Sequence, residues 1–226
     1  MGSLFQKNIP DNGTYWTDYF TEKMKKLTKA FYQGMDVVSL SRELIGKKLV
    51  SSFDGQRTAG LIVETEAYLG PIDKASHAYG MRRTRRTEVM YGAGGLIYVY
   101  LCYGIHHLFN VVVSPKDVPH AILIRALEPV EGIDVMLARC RKPKLNYTLT
   151  AGPGNLTRAL GLTTEHTGMS LTGRSPVWIE AGNRAISEDQ ITACTRVGVA
   201  YAGEDALLPY RFILNGNPYV SKGKGL

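Results

Sequence analysis

The chain has 226 residues, 44% of them hydrophobic and 21% charged, an ordinary globular composition that excludes disorder and is ample for a real core. Lys and Arg outnumber Asp and Glu by 27 to 20, a formal net charge of +7 that suits a polyanionic partner. Three widely spaced cysteines, Cys102, Cys140 and Cys194, imply no disulfide framework and point to a reducing compartment. There is no C-x-x-C, and the adjacent His106 and His107 point to opposite faces of any strand, so no metal site is expected. The first residues carry no apolar signal segment, and no run approaches the ~18 apolar residues of a membrane span. Gln6 breaks the myristoylation pattern that Met1-Gly2 opens.

Residues 1–26 are polar, aromatic and aperiodic, and are read as an N-terminal extension. From Leu27 the recurrence of Val37, Val38, Leu40, Leu44 and Ile45 predicts a helix stopped by Gly46. Residues 47–53 read as a strand turning at Asp54-Gly55, a strong hairpin dipeptide, into a partner over 59–68. That partner ends in LIVETEAYLGP (61–71), and regular pleating sets Ile62, Glu64, Glu66 and Tyr68 on one face. The two carboxylates then leave the backbone about 7 Å apart at roughly 3.3 Å of rise per residue. Either they sit solvated on an edge strand, or they have a partner or a task, because burying an unpaired charge is costly.

A loop follows with the cluster Arg82, Arg83, Arg85 and Arg86, which is a solvated face unless a pocket lies beside it. Gly92, Gly94 and Gly95 match neither a Walker loop nor a dinucleotide fingerprint. Residues 96–104 and 105–113 predict two antiparallel strands joined at Tyr103-Gly104. Tyr98 and Tyr100 share one face, where core packing is the default, whereas Tyr103 falls at the tip, where there is little core to pack on. Residues 121–127 read as a buried strand whose Arg125 needs an anionic neighbour, with Glu64 and Glu66 the nearest candidates. A short helix is expected over 130–139, a basic linker after it, and a helix over 152–161 with Pro153 in its first turn and Gly161 past its end. Short strands over 177–180, 196–199 and 211–214 complete one mixed domain, residues 27–226.

Several separated segments, VETEAYLGP (63–71) with His77, YVYLCYG (98–104), Asn110, LIRALEP (123–129), GPGNLTRALG (152–161) and RVGVAYAGE (196–204), resemble the alkyladenine (3-methyladenine) DNA glycosylase family in order and spacing. The resemblance covers about residues 27–221. It implies a mixed α+β domain with a curved, largely antiparallel sheet flanked by helices and a β-hairpin that enters DNA. It also implies a monomeric, monofunctional enzyme, needing no metal or organic cofactor, that flips 3-methyladenine, 7-methylguanine, hypoxanthine or ethenoadenine out of duplex DNA and hydrolyses the N-glycosidic bond. The location implied is intracellular, with no membrane contact.

Residue by residue, Glu66 resembles the family's general base, and Arg125 with the backbone carbonyl of Val197 resembles the groups that hold the attacking water. Tyr68 and Tyr100 match stacking residues, His77 a purine-edge contact and Tyr98 its hydrogen-bonding support. Asn110 matches a filter against the guanine 2-amino group, and Tyr103 the wedge that fills the vacated stack. Lys74, Arg82, Arg83, Arg85 and Arg86 become phosphate contacts. Two other classes compete: a non-catalytic nucleic-acid-binding module, and a small-molecule glycoside hydrolase using Glu64 and Glu66 as its carboxylate pair.

Overall fold

The thirteen-residue strand β2 (Gln56–Tyr68) is the backbone of the sheet, and its neighbours change along its length. The structure, a computed structural model, describes residues 26–182, 186–223 and 225, so the N-terminal extension lies outside the described residues except for Lys26. β1 (Lys48–Phe53) pairs with the first half of β2, and β8 (Arg211–Leu214) pairs with Glu64–Glu66 on the same edge. The other edge of β2 takes β5 (His120–Glu131), followed outward by β4 (His106–Val113) and β3 (Ile97–Cys102). β6 (Val177–Glu180) adds to β1 and β7 (Ile191–Cys194) to β8, giving an antiparallel sheet of eight strands among the described residues.

Helices cover one face. α1 (Lys29–Tyr32) and α2 (Val37–Glu43) replace the single helix expected from residue 27, because Asp36 starts α2 afresh by accepting the N–H groups of Val38 and Ser39. β5 continues to Glu131, so α3 (Ile133–Cys140) begins later than the expected residue 130. α4 (Pro153–Leu160) has Pro at its start and Gly161 in the left-handed region at its end, as its sequence predicts. Leu40, Leu44, Met136, Leu156 and Leu160 bury their side chains against Ile97, Phe109, Val111, Ile122, Ile124 and Phe212 of the sheet.

Two irregularities set the opposite face. The β2–β5 register slips on either side of Glu64, leaving Val63 and then Arg125 as unpaired extra residues. At a bulge, neighbouring side chains fall out of strict alternation. Val63 and Ala126 accordingly share a small cluster with Tyr219 while Ile62, Leu127 and Ala67 enter the main core. The expected face therefore loses Ile62: the bulge changes the parity of β2 between Ile62 and Glu64. The segment 196–199 is also not a strand, and the expected short strand near it is instead β7, which pairs with β8.

Both hairpin turns are as the sequence predicts. Asp54-Gly55 and Tyr103-Gly104 each hold two consecutive residues at positive φ, 52° and 75° in the first, 51° and 73° in the second. A tyrosine held there costs about 1–2 kcal/mol, and Tyr103 is 90% exposed. Packing does not repay that strain. The three cysteines are free, and no helix among the described residues is long and apolar enough to cross a membrane.

Candidate active site

On the face away from the helices, one row of directly opposed residues crosses five strands. Tyr98 pairs with Asn110, Asn110 with Leu123, Leu123 with Glu66, and Glu66 with Arg211. Directly opposed residues project to the same side of a sheet, so these groups, separated by long stretches of chain, share one floor. A cavity of about 480 Å³ opens beside it, lined by Tyr68, His77, Tyr98, Tyr100, Asn110 and Arg125, with Tyr103, Leu123 and residues 197–199. That volume is in the range of about 300–1,000 Å³ usual for small-molecule sites.

Glu66 is fully buried and lies behind the cavity wall, held by three residues that form that wall. Its Oε2 accepts the Tyr68 hydroxyl at 2.7 Å, its Oε1 accepts the Val197 N–H at 2.8 Å, and Arg125 Nη1 stands 3.3 Å from Oε1. It is thus the N–H of Val197 that the structure brings to Glu66. Each carboxylate oxygen has two acceptor positions, so among the described residues one position on Oε2 is left without a donor. Burial and the neighbouring Glu66 anion raise the Tyr68 hydroxyl well above the ordinary tyrosine value, which keeps it protonated as a donor.

Arg125 does not pair with Glu66 alone. Its Nε donates to Glu64 Oε1 at 2.7 Å, the shorter of its two carboxylate contacts, and Arg211 Nε donates to the same oxygen at 2.8 Å. Two guanidinium groups and two carboxylates therefore form a buried cluster of balanced charge. The bulge supplies this arrangement, since Arg125 is the extra residue of β5 opposite Glu64 and Thr65.

The rim is aromatic and basic. His77 Nδ1 lies 2.8 Å from the Tyr98 hydroxyl, and the His77 ring stands edge-on to Tyr100 at 4.7 Å. Arg86 Nη2 lies 2.8 Å from His77 Nε2, and its guanidinium carbon sits 4.8 Å from the Tyr100 ring centre. Burial, then Arg86 and Arg82, pushes the His77 value down from 6.5 to about 4. His77 is therefore uncharged at neutral pH. Its folded value lies below its unfolded one, so it contributes stability above pH 6.5 that is lost as pH falls towards about 4. Urea midpoints measured across that window should fall with acid, and His77→Gln should flatten the slope.

The basic loop divides. Lys74, Arg82 and Arg86 line a second cleft of about 430 Å³ that shares Ser76, His77 and Tyr201 with the first. Arg83 is engaged elsewhere, with Glu88 at 2.7 and 2.9 Å and with Asp117 at 3.4 Å. Arg85 is exposed and lines neither cleft. Asn110 donates from Nδ2 to the carbonyls of Tyr98 and Leu108, both at 3.1 Å, which fixes its side chain at the cavity floor.

One buried pair escaped sequence reasoning. Arg196 is fully buried, donates to both carboxylate oxygens of Asp73 and to the carbonyl of Ala67 at 2.9 Å, and lies 4.8 Å over the Tyr68 ring. Asp73 in turn accepts the N–H groups of Leu69 and Ala75. The pair thereby ties the loop that carries His77 to the segment that carries Val197. The only sequence signal was an arginine opening the apolar stretch RVGV.

A family model described as methylpurine-DNA glycosylase matches residues 30–218 of the chain. The chain belongs to the methylpurine-DNA glycosylase family. Among its relatives, a protein of Bacillus cereus is 48% identical over 200 residues, spanning 85% of this chain and 97% of its own. One of Bacillus cytotoxicus is 46% identical over 205 residues, spanning 87% and 100%, and one of Bacillus thuringiensis is 48% identical over 201 residues, spanning 85% and 97%. All three are provisionally named 3-methyladenine DNA glycosylases. Membership makes the chain a DNA glycosylase, a hydrolase of DNA repair that acts on DNA, and this agrees with its basic balance. It excludes the non-catalytic binding module.

Proposed function

We propose that this methylpurine-DNA glycosylase flips alkylated and deaminated purines, 3-methyladenine, 7-methylguanine, hypoxanthine and ethenoadenine among them, into the aromatic cavity and hydrolyses the glycosidic bond with an activated water. The observation that carries the reading is Glu66, fixed directly behind the cavity wall by Tyr68, Val197 and Arg125, with one acceptor position of Oε2 left without a donor among the described residues. A water bonded there gives up its proton to the carboxylate as it attacks C1′, and the same negative charge stabilises the cationic sugar. Arg125 and the carbonyl of Val197 hold the water in line. The reaction ends at an abasic site, with no Schiff base and no strand cleavage.

Tyr68 and Tyr100 supply stacking faces, each worth about 1–3 kcal/mol per base. The backbone N–H of His77, which has no partner among the described residues, donates to an acceptor at purine position 6 and so disfavours adenine, whose amino group cannot accept. Tyr98 orients the His77 ring, and Asn110 crowds a guanine 2-amino group. Lys74, Arg82 and Arg86 converge on one cleft and take DNA phosphates; Arg83, held by Glu88 and Asp117, and Arg85 contribute less. Glu64 argues against the paired-carboxylate hydrolase, because two arginines and Ser221 already hold it with four hydrogen bonds.

Tyr103 enters the duplex and fills the place of the flipped base. Being exposed and unpacked, it should tolerate Tyr103→Ala within about 0.5 kcal/mol of stability, whereas affinity for lesion duplex should drop. Thermal melting and a binding titration check both halves, and a large loss of melting temperature would count against the wedge. The reaction itself is tested on alkylated DNA: free methylated purines should be released, and strands should break only after hot alkali. Breakage without alkali, or no free purine, contradicts the reading.

A further inference from the structure

Glu64 is the carboxylate that the proposed reaction does not use, yet it is fully buried and accepts four hydrogen bonds. Its Oε1 takes Arg125 Nε at 2.7 Å, Arg211 Nε at 2.8 Å and Ser221 Oγ at 2.9 Å, and its Oε2 takes the Ser221 N–H at 2.7 Å. Arg211 Nη1 then donates to the carbonyl of Gly223 at 2.9 Å, so the segment 221–223 is fastened to the cluster at two points. A Cβ placed on Gly223 would stand 3.0 Å from Val197 Cγ1 and 3.4 Å from Arg125 Nη2. The segment therefore packs against two of the three residues that hold Glu66.

We infer that Glu64, clasped by Arg211 and residues 221–223, is a positioning residue that keeps Arg125 from closing onto Glu66. The inference rests on the reading of Glu66 as the base. An arginine beside a lone carboxylate favours a two-pronged fork with short contacts. Here Arg125 gives its Nε to Glu64 and reaches Glu66 only through Nη1 at 3.3 Å. With Glu64 neutralised, that preference turns wholly toward Glu66, and the fork takes up the acceptor position that the water needs. Glu64 thereby makes the difference between a structural ion pair and an available base, although it touches neither water nor purine. Gly223 has the matching requirement from behind, since any side chain there presses on Val197 and Arg125.

The test is single-turnover excision from a duplex carrying one hypoxanthine, with duplex affinity measured alongside. Glu64→Gln should slow excision by about 10–100-fold while leaving affinity nearly unchanged, because only the placement of reacting groups is altered. Adding Arg211→Met restores the balance of buried charge; it should recover melting temperature without recovering the rate. Gly223→Ala should slow excision several-fold, again without an affinity change, and it decides the matter should Glu64→Gln lose its fold. Folded variants that excise at the wild-type rate, or a double variant with its rate restored, overturn the inference alone. A wild-type chain that excises nothing removes the reading beneath it, and the inference with it.

Discussion

Glu66→Gln should reduce base release by about 10²–10⁴-fold while lesion-duplex affinity stays close to wild type. The side chains are of equal size, and Gln keeps one carbonyl oxygen for the Val197 N–H and Arg125. Its amide NH₂ then falls toward Tyr68, whose hydroxyl can rotate to accept where it had donated. Geometry thus survives, and what disappears is the carboxylate's charge and the proton acceptor that the proposed reaction assigns to it. Single-turnover rates and a binding isotherm separate the two effects. A variant within tenfold of wild type would show that Glu66 does not activate the water. Arg125 retains Glu64, so the variant should still fold, and a melting curve belongs with the assay.

Asp73→Asn should cost about 3–5 kcal/mol of stability, the usual penalty for stranding one member of a buried ion pair. Arg196 is fully buried, so the charge left behind has no route to solvent, and the carbonyls of Ala67 and Asp205 compensate it only in part. Arg196→Met should cost less, because Asp73 keeps the N–H groups of Leu69 and Ala75. The double variant should be more stable than Asp73→Asn, a coupling that urea unfolding measures directly. Simple additivity would mean that the two side chains do not act as a pair. Loosening this tie should also slow excision, since it joins the His77 loop to Val197.

What the sequence made legible was local. Asp54-Gly55 and Tyr103-Gly104 announce their turns because a two-residue hairpin needs two left-handed residues in succession. Pro153 and Gly161 bracket α4 for equally local reasons. The bulge around Glu64 has no such signature. It arises from how β2 and β5 meet, strands whose facing residues Glu64 and Arg125 lie 61 positions apart in the chain, so strict alternation places Ile62 on the wrong face. The stretch Arg196–Val199 has the composition of a strand, but its first side chain is drawn to Asp73 and its Val197 N–H to Glu66, which takes it out of the ladder. Glu66, Arg125 and the tyrosines stand out in the sequence as single residues, and the family resemblance is what joins them. The sharing of Arg125 between two carboxylates was visible only in three dimensions.

The most direct test of the central claim uses the wild-type chain and a duplex oligonucleotide carrying one hypoxanthine or one ethenoadenine. After incubation and hot alkali, cleavage at the lesion of either duplex, with the matching undamaged duplex left whole, is the predicted result. Lesion duplexes left intact, together with no methylated purine released from alkylated DNA, would contradict it.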